Sequence, residues 1–351
     1  MRCLSVVGAR PQFVKAAMVE RALREAGIDV QGVHTGQHYD PRLCEPFFDQ
    51  LAIAAPQVNL GVGSASHGVQ TARMLERLEQ VVLDSKPDAV IAYGDTNSTL
   101  AAVLAAGKLQ VPVAHVEAGL RSFDRNMAEE QNRIVADHLS TLLFAPSNAA
   151  MDNLVREGLA GRSVLVGDVM YDAFEAMSRS LERGGVCRSY GLEPDGFVLA
   201  TVHRAENTDN PSRLQGILAG LGAAPLPVLL PIHPRTRARL GSVAVPANVM
   251  VVDPVGYREM LALEHECARI ATDSGGVQKE AAWARVGCVT MRDETEWVET
   301  LAGGWNVLAG ADPARIAAAL GAPTPTTPPA TPSPAGAAAP RIAEAIGRCL
   351  T

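Results

Sequence analysis

The sequence predicts an α/β protein of two domains, each built on a parallel sheet with helices on both faces. Three observations carry this. A chain of 351 residues that is 47% hydrophobic can bury a large core, and at roughly 150 residues per domain it divides into two. Short apolar runs alternate with longer amphipathic stretches in both halves, the pattern of buried parallel strands and the helices that connect them. The apolar runs also end in polar clusters, and in such sheets ligands gather at the carboxyl ends of the strands.

In the first half, Cys3 to Val7 reads as a strand closed by Gly8, and Phe13 to Ala26 as the helix after it. The loop between them, GARPQ, lacks the second and third glycines of a dinucleotide fingerprint, so no nicotinamide cofactor is expected there. It does bring Arg10 and Lys15 to a strand end, where both are also explicable as exposed cations. Asp29 to Thr35 is a second strand, followed by GQHYD, and Ser66 to Lys86 has helical spacing. Ala89 to Tyr93 and Val111 to Val116 have the look of buried strands, with an alanine-rich helix from Ser98 to Lys108 between them. Each of these strands ends in an acid, Asp95 and Glu117, so neighbouring strands would aim two carboxylates the same way. Asp95 before TNST also reads as a helix cap; for Glu117 that reading is weaker. The stretch RSFDRNMAEEQNR carries too many charges for a core helix, and it supplies a third acid, Glu129 or Glu130.

Phe144 to Pro146 and Val164 to Val169 add short strand-like runs, and the pattern changes near Gly167, where the domain boundary is expected. The expected domains are therefore 1–166 and 167–320. Gly196 to Val202 then leads into HRAEN, Val228 to Ile232 into HPRT, and Val249 to Val252 into DPVGY, which places His203 and His233 just past strands. Ile270 to Ala282, IATDSGGVQKEAA, is a strand, a polar turn and a helix start. Thr272, Asp273 and Ser274 offer cap chemistry, while Gly275 and Gly276 let backbone approach a ligand closely. Free amides and the positive end of the helix dipole make this turn an anion site without a basic side chain. Glu280, a turn and a half further on, is placed to take the two hydroxyls of a ribose. Residues 321–340 are proline- and alanine-rich and read as a linker, and Arg341 to Leu350 regains helical spacing as a closing helix to the first domain.

Charge and cysteine content narrow the partners. A formal net charge of −7 gives no broad basic field, so neither nucleic acid nor a membrane surface is expected. The six cysteines, Cys3, Cys44, Cys187, Cys267, Cys288 and Cys349, form no Cys-x-x-Cys pair. That spacing argues against a zinc site or disulfide framework and for reduced, mostly packed thiols. No metal is expected. The first residues are too brief an apolar run for a signal peptide and no segment is long enough to span a bilayer, so a cytoplasmic protein is expected.

The strings GARPQ, GDTNSTL, HVEAGLR, AEEQNR, HRAEN, TDSGGVQKEA and RDETEW, in this order over residues 8 to 297, resemble those of the non-hydrolysing UDP-N-acetylglucosamine 2-epimerases. The resemblance implies two Rossmann-like domains facing a cleft, the glycosyltransferase-B-like fold, in a homodimer without cofactor. It implies a UDP-sugar substrate epimerised at carbon 2: the proton leaves carbon 2 as UDP leaves carbon 1, and both return with the proton on the other face. By similarity Asp95, Glu117, Glu129 and His203 match the catalytic positions. Arg10, Lys15, Ser274, Gly275, Gly276, Glu280 and Arg292 match substrate-binding ones.

Several positions depart from the common pattern. Ala9 and Gln12 stand in the first loop, Ala128 replaces a proline, and Lys279 stands where many members have Glu. GARPQ, TGQHYD and RDETEW are closer to the branch acting on UDP-2,3-diacetamido-2,3-dideoxyglucuronic acid, the alternative substrate. The motif linked to activation by substrate appears as GQHYDPRLCE, from which hyperbolic kinetics are expected. A retaining glycosyltransferase on the same fold is a further reading, against which the HVEAGLR and AEEQNR pair speaks. A catalytically silent sugar-nucleotide sensor is another, against which the intact acids and His203 speak.

Overall fold

The computed structural model of the chain describes residues 1–37, 56–232, 234–241, 243–327, 329, 334 and 336–350. The motif GQHYDPRLCE lies for the most part outside these residues, as do Cys44 and His233. Strands β1 (Arg2–Val7), β2 (Asp29–His34), β3 (Val58–Asn59), β4 (Ala89–Tyr93), β5 (Val113–Val116), β6 (Leu142–Ala145) and β7 (Ser163–Leu165) form one parallel sheet. Its order is β3-β2-β1-β4-β5-β6-β7. The connecting helices are α1 (Arg10–Glu25), α2 (His67–Ser85), α3 (Asn97–Lys108), α4 (Ala128–Leu139) and α5 (Asn148–Arg156). Because every residue of β4 is buried, its sequence AVIAY is apolar throughout rather than alternating. Alanines at 101, 102, 105 and 106 are buried on α3, and their small side chains let it pack against both α2 and α4.

After α6 (Val169–Ser178) and α7 (Gly185–Ser189), the second sheet contains β8 (Val198–Thr201), β9 (Val228–Pro231), β10 (Val249–Val252), β11 (Arg269–Thr272), β12 (Gly287–Thr290) and β13 (Asn306–Leu308). It too is parallel, in the order β10-β9-β8-β11-β12-β13. Its helices are α8 (Ala205–Thr208), α9 (Pro211–Gly222), α10 (Pro234–Leu240), α11 (Tyr257–Glu266), α12 (Gly275–Ala284) and α13 (Pro313–Leu320). The order reverses between β1 and β4 in one sheet and between β8 and β11 in the other. Such switch points open a crevice at the strands' carboxyl ends.

The chain divides into one unit of Met1–Glu175 with Pro332–Thr351 and a second of Ala176–Thr331. The division therefore falls within α6 and not at Gly167. The start of α6 is tied into the first unit by Asp172, whose carboxylate accepts the Ala339 amide at 2.8 Å. Gly167 is instead a close approach: it has φ +93, and a Cβ there would sit 2.4 Å from the Pro334 carbonyl oxygen. The final helix, α14 (Ala338–Cys349), begins ahead of the expected Arg341 and packs Ile342, Ala345 and Ile346 inward, with α1 as a neighbour. Part of the expected 321–340 linker is held on the second unit. Arg269 donates to the Ala322 carbonyl, and the Trp305 indole donates to that of Thr327 at 2.6 Å.

Among the described residues Cys3, Cys187, Cys267 and Cys288 are buried free thiols and Cys349 is an exposed one, in keeping with thiols that are mostly packed. Among the described residues no helix is long and apolar enough to cross a membrane.

Candidate active site

In the first unit the switch point is braced by Gln12. Its side-chain oxygen accepts the amides of Gly8 and Ala9 at 2.8 and 3.0 Å, and its nitrogen donates to the Tyr93 carbonyl at 2.6 Å and the Thr96 hydroxyl at 2.9 Å. The end of β1 is thereby fastened to the end of β4. Arg10 opens α1 at this loop; its side chain is not among those described. Lys15, which the loop brings to this strand end, is not an exposed cation: it is buried on α1 and forms an ion pair with Glu117, its ammonium donating to the carboxylate.

Glu117 leaves β5 with φ +71, a left-handed conformation that costs about 1–2 kcal/mol for a residue with a Cβ. The turn is held because the Glu117 and Ala118 amides both donate to the Phe144 carbonyl, at 3.1 and 3.0 Å. Such strain is concentrated at functional sites. Facing the pair is Gly94, φ +61, where a Cβ would lie 3.2 Å from a Glu117 carboxylate oxygen and 3.5 Å from the Lys15 nitrogen. Gly94→Ala is therefore expected to lower stability by about 1–2 kcal/mol through the backbone alone and to reduce turnover by displacing Glu117. Urea denaturation and initial rates check the two effects, and an unaltered rate would remove Glu117 from the site.

Asp95 is not a helix cap; Thr96 caps α3 by accepting from the Thr99 amide. The Asp95 carboxylate is instead held by Arg133, which donates to it at 2.9 and 2.6 Å. Beneath these acids lies His115, whose Nε2 donates to the Gly94 carbonyl and whose Nδ1 contacts Asp137, both at 2.7 Å. Burial alone would raise the Asp137 carboxyl, but hydrogen bonding and charge from His115 and Arg121 outweigh it and hold it below the usual carboxylate range. His115 and Asp137 escaped sequence reading because both are buried behind the polar edge.

The stretch RSFDRNMAEEQNR, read as too charged for a core helix, runs from a loop into the N-terminal part of α4, and its two neighbouring acids separate. Glu130 is buried and accepts from the Ser122 and Phe123 amides at 2.9 and 3.0 Å and from Arg133 at 2.8 Å. It is a structural clamp. Glu129, the candidate acid, is exposed and is not brought against Asp95 or Glu117 by any contact.

In the second unit the corresponding edge is organised by Asp273, which sequence reading treated only as cap chemistry. The cap of α12 is Ser274. The buried Asp273 carboxylate accepts the His203 and Arg204 amides at 3.1 and 3.0 Å and the Asn207 side chain at 3.1 Å, and lies 3.0 Å from His203 Nδ1. Burial would raise its carboxyl; the hydrogen bond and charge from His203, with Asn207 and the Arg204 amide, outweigh burial and hold it low. The His203 ring is half-exposed, so with Nδ1 committed to Asp273 its Nε2 is the atom offered outward.

Next to this dyad, the amides of Gly275 and Gly276 have no acceptor among the described residues. They point out of the start of α12, where an anion is favoured. Gly275 also has to be small, since a Cβ would meet Glu296 Oε1 at 2.7 Å and the Trp297 indole nitrogen at 3.0 Å. Arg292, matched by the resemblance to a substrate-binding position, follows β12 near this turn. It is buried, and donates to Glu296 at 2.8 Å. Lys279 is buried with its ammonium 3.7 Å from the Trp297 ring centre and 5.5 Å from that of Trp283, a cation–π arrangement that explains how a lysine is accommodated there. Glu280 is buried further along α12 and accepts from the Tyr257 hydroxyl at 2.7 Å. Among the described residues no group of three or more His, Cys, Asp or Glu side chains converges as a metal site.

Two doubly wound parallel sheets, each with its polar side chains at the switch point, define a ligand-binding α/β protein of the Rossmann-like class. A family model described as UDP-N-acetylglucosamine 2-epimerase matches residues 21–347, and the chain belongs to that family. The UDP-2,3-diacetamido-2,3-dideoxy-D-glucuronate 2-epimerase of Pseudomonas aeruginosa is 49% identical, with 89% of each chain covered. The UDP-N-acetylglucosamine 2-epimerase of Methanocaldococcus jannaschii is 42% identical, with 88% of each covered. A crystal structure of Methanocaldococcus jannaschii UDP-GlcNAc 2-epimerase with UDP-GlcNAc and UDP superposes with a TM-score of 0.89 at 39% identity, covering 99% of this chain and 100% of the other. A Streptomyces glycosyltransferase at 15% identity and TM-score 0.54 shares the fold.

Proposed function

We propose that the protein epimerises UDP-N-acetylglucosamine at carbon 2, giving UDP-N-acetylmannosamine, by eliminating and re-adding UDP. The observation that carries this reading is the pair of carboxylates, Asp95 and Glu117, at the ends of adjacent strands, each held by a cation. Removing a weakly acidic proton from one face and returning it to the other requires two positioned acid–base groups, and Asp95, Glu117 and the exposed Glu129 are the candidates. Arg10 belongs to the same first loop. In the second unit the Gly275 and Gly276 amides, with Ser274, receive the diphosphate. His203 Nε2 serves the departing and returning UDP, Glu280 takes the ribose hydroxyls, and Arg292 acts through Glu296 beside the turn. The C–H and C–O bonds broken in one half-reaction are re-formed in the other, so no redox cofactor takes part. A homodimer in the cytoplasm belongs to this reading and rests on the resemblance.

The 49% identity to the diacetamido-glucuronate enzyme favours a second reading, in which that uronic sugar is the substrate. Purified protein in deuterated water is expected to place deuterium at carbon 2 of UDP-N-acetylglucosamine and to accumulate the manno epimer without any acceptor. Exchange with only the diacetamido-uronic sugar would move the protein to the second reading. Failure with both would overturn the epimerase assignment.

A further inference from the structure

Glu264, on α11, is fully buried, and neither carboxyl oxygen receives a hydrogen bond from an N–H or O–H of another described residue. An ionised carboxylate in such a place is costly. The group that faces it is another carboxyl, Glu280 on the adjacent helix α12. Two carboxyls can hydrogen-bond only through a proton carried by one of them, as in shared-proton acid pairs. Glu280 is the one already receiving a donor, the Tyr257 hydroxyl, so Glu264 is the natural holder of the proton.

We propose that Glu264 positions the ribose-binding carboxylate: its buried carboxylic acid donates to Glu280 and fixes the orientation in which that carboxylate meets the vicinal hydroxyls of the nucleotide. This rests on the reading that Glu280 holds the ribose. Burial, then the charge and hydrogen bond of Glu280, push the Glu264 carboxyl well above the usual range. Among the described residues the thiols of Cys267 and Cys288 also lie near it. Its chain neighbours are turned elsewhere, His265 to the Ser178 hydroxyl and Glu266 to the amides of Gly184 and Cys187.

The test compares binding of UDP and 2′-deoxy-UDP by calorimetry across pH in the wild type, Glu264→Gln, Glu264→Leu and Glu280→Ala. Glutamine retains a donor toward Glu280 and leucine does not. Wild type and Glu264→Gln should prefer UDP alike at neutral pH, whereas Glu264→Leu should lose about tenfold in UDP affinity with little change for the deoxy nucleotide. Because the Glu264 acid keeps its proton to high pH and loses it as pH rises, the wild-type preference should decline at the alkaline end; that of Glu264→Gln should not. Full preference in Glu264→Leu, or the same alkaline decline in Glu264→Gln, would overturn the proposal; the glutamine profile decides if the leucine variant does not fold. Unchanged UDP binding in Glu280→Ala would bring down the ribose reading and this proposal together. A loss there with Glu264→Leu unaffected would reject only the role of Glu264.

Discussion

Asp273→Asn should lower turnover by about a hundred- to ten-thousand-fold, the range for disabling a positioned acid–base group. The carboxylate fixes His203 in two ways, through its backbone amide at 3.1 Å and through Nδ1 at 3.0 Å. An asparagine can still accept the backbone amides with its oxygen, so the turn between β8 and α8 has a way to persist. Its NH2 group, however, presents a donor to Nδ1, which favours the tautomer with the proton on Nε2 and reverses what the imidazole offers outward. Exchange of the carbon 2 proton and initial rates measure the loss, with circular dichroism and UDP calorimetry as controls. A folded variant that turns over within a few-fold of wild type would show that Asp273 only ties the turn together.

Lys15→Met carries the second large effect, this time on stability. Removing one partner of a buried ion pair leaves the other charge uncompensated, at a cost of about 3–5 kcal/mol. The side chains of Lys15 and Glu117 are only 8% and 12% exposed, so water screens the pair little. Urea denaturation should show the loss in Lys15→Met and part of it restored in Lys15→Met combined with Glu117→Gln, which removes the charge that Lys15 faced. Additive losses in the double variant would mean that the pair is not energetically coupled. Both variants should be catalytically impaired, since the first misplaces Glu117 and the second neutralises it.

Much of this arrangement was legible in the residues. Parallel strands ending in acids, and a Thr-Asp-Ser-Gly-Gly turn opening a helix, follow from local pattern because each is dictated by neighbours in the chain. What pattern does not settle is which of several polar residues faces inward. Asp273 and Ser274 are both good caps, and only the position of the facing β8 loop hands one to the helix and the other to His203. Glu129 and Glu130 are adjacent, yet lie about 100° apart around α4, and the anchor for Glu130 is the loop at Ser122. For Lys15 a signal existed: it shares a helix face with Val19 and Leu23, both buried. Glu264 shares one with Leu261, also buried. A charged residue in an apolar stripe implies a buried partner, although the partner itself lies far away in sequence.

Gln12 bears on how this protein could change its specificity. Since one amide side chain fastens the loop after β1 to the loop after β4, substitutions in either loop are transmitted to the other rather than absorbed locally. An engineer who alters Ala9 alone, or Thr96 alone, would be working against a shared fastener. Reshaping this edge is better approached by randomising positions 9, 12, 96 and 99 as a single library, with success expected in combinations that no sequence of single steps would reach.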